Sequence, residues 1–148
     1  MNEVYVYTIH HDDKPRGTGR ARTNPNGGRP FTPAATRTYA AQVRGQIERQ
    51  LPIVGPGVPL PTGVAVEMSI VAGFPVPKSW PKDKRDRALA GLIRPTVKPD
   101  FDQIEKLIAD CMTGLVYADD MQIVSSGVLK LYVASPRTVV TIRAKDNR

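Results

Sequence analysis

The chain has 148 residues, 41% of them hydrophobic and only 6% aromatic, enough for one mainly aliphatic core in a single domain spanning 1–148. A formal charge of +7 and a pI near 9.8 favour a polyanionic partner, and the lone cysteine excludes an intrachain disulfide. No apolar run approaches the ~18–20 residues of a membrane span, and the start MNEVYVYTIH lacks the cationic opening of a signal peptide, so a cytoplasmic protein is expected.

Residues 3–9, EVYVYTI, alternate polar and apolar with β-branched and aromatic side chains, which predicts a strand. From His10 to Pro33 the pattern gives way to Gly, Pro, Asn and Arg. Lys14, Arg16, Arg20, Arg22 and Arg29 occur there with no acid among them. Such a segment reads either as a solvated loop or as a basic arm on nucleic-acid phosphates, whose oxygens match the arginine fork. A helix is predicted over 36–51 from Tyr39, Val43, Ile47 and Leu51, with Arg37, Arg44 and Arg49 off that stripe as solubilising residues. Residues 52–63, rich in Pro and Gly, read as an ordered connector.

A second strand, expected to be central, covers 64–72, and a short helix is expected over 83–89. Around Trp80 lie Lys78, Lys82, Lys84, Arg85 and Arg87. From Lys78 to Lys98 there are seven bases against two acids. On residue chemistry alone Trp80 is more readily a packing residue than a base-stacking platform, and the lysines a wetted helix face rather than a phosphate track.

The run RPTVKPDFDQIEKLIADCMTGLVYADDMQIV, residues 94–124, breaks the cationic pattern. Between Asp100 and Asp120 stand six of the fourteen acids, with Lys106 the one base. Crowded carboxylates repel one another, and a divalent cation with a taste for hard oxygen ligands, Mg²⁺ or Mn²⁺, is a common reason to gather them. Pro99 favours a helix start just after it. Ile104, Leu107, Ile108 and Cys111 then form an apolar face, leaving Asp102, Lys106 and Asp110 on a polar stripe, and Gly114 suits the left-handed position past the helix end. The Asp119–Asp120 pair converges with the first two acids if the following stretch turns back beside the helix. Taken singly, Asp102 reads as a plain helix N-cap or dipole partner, and the Asp pair more readily as turn chemistry than as a ligand set. Residues 122–133 and 138–143 are predicted strands joined at Ser135–Pro136 as a hairpin, with 144–148 fraying. The order β-α-β-α-α-β-β implies a small α+β fold, a mixed sheet with helices largely on one face.

The stretch with Lys98, Pro99, Asp100, Asp102, Gln103, Lys106, Asp110, Gly114, Asp119, Asp120 and Gln122 resembles the signature of the RusA family of Holliday junction resolvases, K-P-D-x-D-N-x-x-K followed by D-A-L-x-G and D-D-x-Q-V. The PKSWPKDKR segment and the GRAR cluster followed by FTPAATRTYAAQVR are similar to the family as well. The resemblance implies a Mg²⁺-dependent homodimeric endonuclease, with Mn²⁺ able to substitute, of the kind common in phages and prophages of bacterial hosts. The resemblance also implies that such an enzyme resolves four-way DNA junctions by paired symmetric nicks. It further implies that Asp100, Asp102 and Asp120 are catalytic carboxylates holding metal, with Lys106 assisting and Asp119 a further ligand. Lys14, Arg16, Arg20, Arg22, Lys78, Lys82, Lys84 and Arg85 are then the expected DNA contacts. Gln103 departs from the family's Asn by one methylene. Two other classes fit the residues less fully: a catalytically weak DNA-binding module, and a transferase holding a metal–diphosphate on Asp-x-Asp.

Overall fold

A computed structural model describes residues 2–19 and 25–147. Its elements run β1 (Asn2–His10), α1 (Ala34–Val54), β2 (Val64–Pro75), α2 (Lys82–Leu89), α3 (Phe101–Met112), a 3₁₀ turn (Asp120–Gln122), β3 (Ile123–Val133) and β4 (Arg137–Asp146). This is the α+β order expected from the sequence. The strands form one mixed sheet in the order β1-β4-β2-β3, in which only β2 and β3 are parallel.

Strand β2 takes the centre because its inward positions Val64, Val66, Met68, Ile70, Ala72 and Phe74 are all buried. In β3 the outward register carries Ser125, Gly127 and Leu129, a composition suited to an edge. The inward register continues through Tyr7 and Ile9 on β1 and Val140, Ile142 and Ala144 on β4, so one face of the sheet holds the core. Helix α1 packs on β1 and on α3, whereas α2 and α3 pack on β3. The opposite face is open, with Val4, Val6 and Leu129 about half exposed.

The expected β3–β4 hairpin does not form. Strand β2 lies between the two, antiparallel to β4 and parallel to β3. Three residues, 134–136, cross over its end, a reach of roughly 10 Å that such a connection can span. Gly73 makes the crossing close: a Cβ there would stand 2.5 Å from the Arg137 carbonyl oxygen and 2.6 Å from Val133 Cγ2. The parallel β2–β3 pair requires a long crossover, and that crossover contains α2 and α3. Strand β4 also outlasts its expected end at 143 and runs to Asp146, because Ala144 still reaches the core.

Helix α1 contains Pro52 in its last turn, where the ring leaves the Glu48 carbonyl without its helical donor, and ends at Gly55 with φ 91° and its N–H on the Leu51 carbonyl at 2.8 Å. Two glutamines of α1 cover backbone of edge strand β1. Gln50 exchanges hydrogen bonds with Thr8 N–H and C=O (3.0 and 2.8 Å), and Gln46 with those of His10 (2.8 and 2.9 Å). Arg44, expected to serve solubility, instead donates to the Cys111 and Thr113 carbonyls at 3.0 and 3.2 Å. It thereby caps the C-terminal end of α3 and ties α1 to it.

Candidate active site

Helix α3 carries the site because its two faces are chemically opposed. Ile104, Leu107, Ile108, Cys111 and Met112 are buried against the sheet and α1. The remaining stripe places Asp102, Glu105, Lys106 and Asp110 toward solvent at helical spacing. Asp100, not Asp102, is the N-cap residue, and its side chain makes no capping hydrogen bond. Its carboxylate is left for other work, and Asp102 sits one step inside the first turn, where a negative charge suits the helix dipole.

Two hollows lie along this stripe. One is lined by Thr96, Val97, Lys98, Asp100, Phe101, Asp102 and Lys130, and the second gathers Glu105, Lys106, Asp110 and Asp120 with Ser126. Asp120 therefore comes back beside α3, as the turning stretch was expected to bring it. It meets Glu105 and Asp110, however, while Asp100 and Asp102 share the other hollow. Among the described residues no three His, Cys, Asp or Glu side chains are gathered tightly enough to hold one metal ion by themselves.

The donors nonetheless suit a hard cation. Neither Asp100 nor Asp102 takes part in an ion pair or a side-chain hydrogen bond among the described residues. Mg²⁺ is commonly held by one or two carboxylates, with water and substrate phosphate filling the rest of its octahedron, so an all-protein cage is not required. Lys106 pairs with Asp110 at 3.5 Å rather than with Asp102, and both partners are largely exposed. It does not steady Asp102, and a surface pair of this kind is weak enough to yield Lys106 to a phosphate.

Asp119 has a different occupation. It caps the 3₁₀ turn, accepting from Met121 N–H at 3.0 Å, while Gln122 Oε1 accepts from Asp119 N–H at 2.9 Å. Gln122 is only 4% exposed and donates to the carbonyls of Pro61 and Val64 at 2.9 and 3.0 Å. The connector 55–63 is thus the anchor for the turn carrying Asp120. Leu60 reinforces it by bonding Val116 and Ala118 backbone at 2.9 and 3.0 Å. Tyr117, fully buried, donates to the Ala109 carbonyl at 2.8 Å and pins the return chain to α3.

The basic residues fall in two groups. Thr18 N–H donates to the Gln103 carbonyl at 3.2 Å, and a Cβ on Gly17 would stand 2.6 Å from Gln103 Cβ, so the stretch after Lys14 and Arg16 lies directly on the first turn of α3. Arg20 and Arg22 lie outside the described residues. Lys14 and Arg16 themselves, both exposed, line a separate hollow beside α1 with His10, His11 and Arg49. On α2, Lys82 pairs with Asp86 at 3.1 Å, and Lys84 stands 4.0 Å from the Trp80 ring centroid. Trp80 packs edge-on against Tyr132 at 5.3 Å, the packing role its chemistry favoured, while Lys78 and Arg85 project into solvent.

Three residues escaped sequence reasoning. Glu105, one more acid by sequence, lines the second hollow, where its Oε2 accepts from Ser126 Oγ at 2.9 Å beside Asp120. Lys98 was read only as part of a motif. Lys130 carries the clearest signal in retrospect, being a lysine in the inward register of a strand opposite fully buried Ala72. Its ammonium meets backbone carbonyls of Val97 and Pro99, the latter at 3.0 Å. Burial pulls its pKa down, opposed by the nearby Asp100 charge.

A carboxylate stripe on one helix is thus backed by a mixed sheet and accompanied by exposed bases. The chain belongs to the Endodeoxyribonuclease RusA family, whose pattern it matches over residues 12–143. It is also 38% identical over 109 residues to the uncharacterized protein YqaN of Bacillus subtilis (strain 168), covering 72% of this chain and 70% of that protein. Among the described residues no helix is long and apolar enough to cross a membrane.

Proposed function

We propose that this protein is a Mg²⁺-dependent, structure-selective endodeoxyribonuclease of the bacterial cytoplasm that resolves four-way DNA junctions as a homodimer, one single-domain protomer for each of two symmetric nicks. The observation that carries the reading is the pair Asp100 and Asp102, two carboxylates without a capping hydrogen bond or ion pair among the described residues, in one hollow of a chain with net charge +7. Asp100 and Asp102 are the primary metal ligands and Asp120 the third catalytic carboxylate. Asp119 ranks behind them because its carboxylate caps the 3₁₀ turn. When bound, the cation supplies a nucleophilic water and stabilises charge on the scissile phosphate. The chain's own residues orient that event. Lys106 leaves its exposed partner to neutralise a phosphate oxygen, and Glu105 and Asp110 steady the hollow around Asp120. Lys14, Arg16, Arg20, Arg22, Lys78, Lys82, Lys84 and Arg85 contact the backbone of the junction arms, where contacts to phosphate position the DNA without reading its sequence.

The test separates chemistry from binding. Asp102→Asn and Asp120→Asn keep shape but lose a charge each, and Mg²⁺-dependent cutting of a synthetic junction is expected to fall at least 100-fold. Junction affinity in EDTA should hold or improve, because a negative charge facing phosphates is gone. Substantial cutting by either folded variant would relocate the active site, and a monomer by light scattering that still makes paired nicks would remove the dimer.

A second reading, a junction-binding module with weak catalysis, draws on the absence of three tightly gathered ligands among the described residues and on Gln103. It requires tight junction binding with no Mg²⁺-dependent cutting by the wild-type protein.

A further inference from the structure

Lys130 belongs to β3, far in sequence from the acidic helix, yet its side chain ends beneath the loop that delivers Asp100. The ammonium has three donors. Two of them reach the carbonyl oxygens of Val97 and Pro99, the Pro99 bond measuring 3.0 Å, and the amine stands 5.1 Å from the centroid of the Phe74 ring. Two of its three donors are therefore committed to protein backbone, which argues against a group kept ready for substrate.

The position of these contacts gives them their meaning. Val97 and Pro99 flank Lys98 and immediately precede Asp100, the residue that begins α3 with extended backbone angles (φ −67°, ψ 151°) and no side-chain cap. Pro99 has no amide hydrogen to donate, so this short stretch depends on its carbonyls for anchorage. Lys130 grips two of them from the sheet, and the sheet is the rigid part of the fold. Fixing Pro99 fixes where the next residue's carboxylate stands relative to Asp102, one turn-step away on α3.

We propose that Lys130 is a positioning residue for the metal-binding carboxylates: by holding the Val97 and Pro99 carbonyls to β3 it sets Asp100 beside Asp102 and so tunes divalent-cation affinity. The role rests on the metal-dependent reading of the acidic site but does not require that the reaction be junction cutting. Partners that orient metal ligands without touching the metal are worth about 10- to 100-fold in metal affinity.

The experiment compares wild-type protein with Lys130→Met, which keeps the aliphatic stem and loses all donors, and Lys130→Gln, which retains a shorter donor. Mn²⁺ binding without DNA is followed by the loss of the free-ion EPR signal. Junction cutting is titrated with Mg²⁺, junction affinity is measured in EDTA, and melting temperature is recorded for each variant. Lys130→Met should weaken Mn²⁺ binding about 10-fold or more, with a parallel rise in half-saturating Mg²⁺, near-normal cutting at high Mg²⁺, and EDTA affinity within about twofold of wild type. Lys130→Gln should shift the same way by less, and it carries the comparison if Lys130→Met does not fold. Unchanged Mn²⁺ binding by a folded variant would overturn the proposal. So would a loss of EDTA affinity with normal Mn²⁺ binding, which would make Lys130 a phosphate contact, and so would a wild-type protein that binds no Mn²⁺. Wild-type protein that binds Mn²⁺ tightly yet leaves junctions intact would overturn the nuclease reading instead, while the difference between the variants still decides the role of Lys130.

Discussion

His11 illustrates how a single polar side chain is made part of the frame. Its Nε2 lies 2.7 Å from Thr138 Oγ1, its Nδ1 3.1 Å from the Tyr39 hydroxyl, and the two rings stack at 5.7 Å. Burial lowers its pKa to about 4, with the charge of His10 acting the same way and that of Asp12 opposing. In the unfolded chain the ring titrates near 6.5. Between these values the unfolded state binds the extra proton, so stability is intact above about pH 6.5 and declines as pH falls toward 4. Thermal melts from pH 7.5 to 5 should register a loss on the order of 1 kcal/mol once solvent screening of this part-exposed ring is allowed for. His11→Gln should flatten that slope; an identical slope in the variant would assign the acid sensitivity to other groups. Cys111 makes the complementary case. Burial pushes its thiol up to about 11 against the opposing pull of Arg44, so it stays protonated and packs as an apolar residue, the role its place on the helical face implied.

At the scale of elements, the 3₁₀ turn between α3 and β3 shows why the Asp119–Asp120 pair was ambiguous. The pair divides: Asp119 is turn chemistry, and Asp120 faces the acidic hollow. The residue that fixes this split is Gln122. Gln122→Ala would strip the Pro61 and Val64 carbonyls of their partner and empty a buried site, a loss of about 2–3 kcal/mol. Cutting should fall with it even at temperatures where the variant is folded, since Asp120 sits on the same turn. A melting temperature within a degree of wild type would show the anchor to be redundant. Elements whose character depends on local periodicity, such as α3 with its two faces and β2 with its six inward apolar positions, were legible from the sequence to within a few residues. Pairing was not. The stretches that form β3 and β4 are adjacent, alternating and separated by a turn, so they carry the local marks of a hairpin. What excludes it is β2, sixty residues upstream and more apolar, together with Gly73, whose lack of a side chain is the one local trace of the crossing. Likewise Asp100, Asp102 and Asp120 stand out through the resemblance to the family motif, whereas Lys130 reaches the Val97 and Pro99 carbonyls through strand register, which local spacing does not encode.

For the molecule as a whole, the distribution of charge decides how DNA would be met. The carboxylates occupy one stripe of α3, while the described bases sit on α2 and, as Lys14 and Arg16, in the hollow beside α1. These bases are not equivalent. Lys82 already neutralises Asp86 at 3.1 Å and Lys84 rests on Trp80, whereas Arg85 is exposed and has no such partner among the described residues. A phosphate contact releases counterions, so each one lost should reduce the slope of log affinity against log salt by about 1. Arg85→Ala should therefore flatten the slope by about that amount and weaken binding to duplex and junction alike. Lys82→Ala should change it much less, because the Lys82 charge is already paired with Asp86 at 3.1 Å and little of it is left for a phosphate. Fluorescence anisotropy on one duplex and one four-way junction, from 50 to 300 mM salt in EDTA, distinguishes the two. Equal slopes for wild type and Arg85→Ala would mean that α2 is a solvated surface, and would leave the DNA to bases such as Lys14 and Arg16 beside α1.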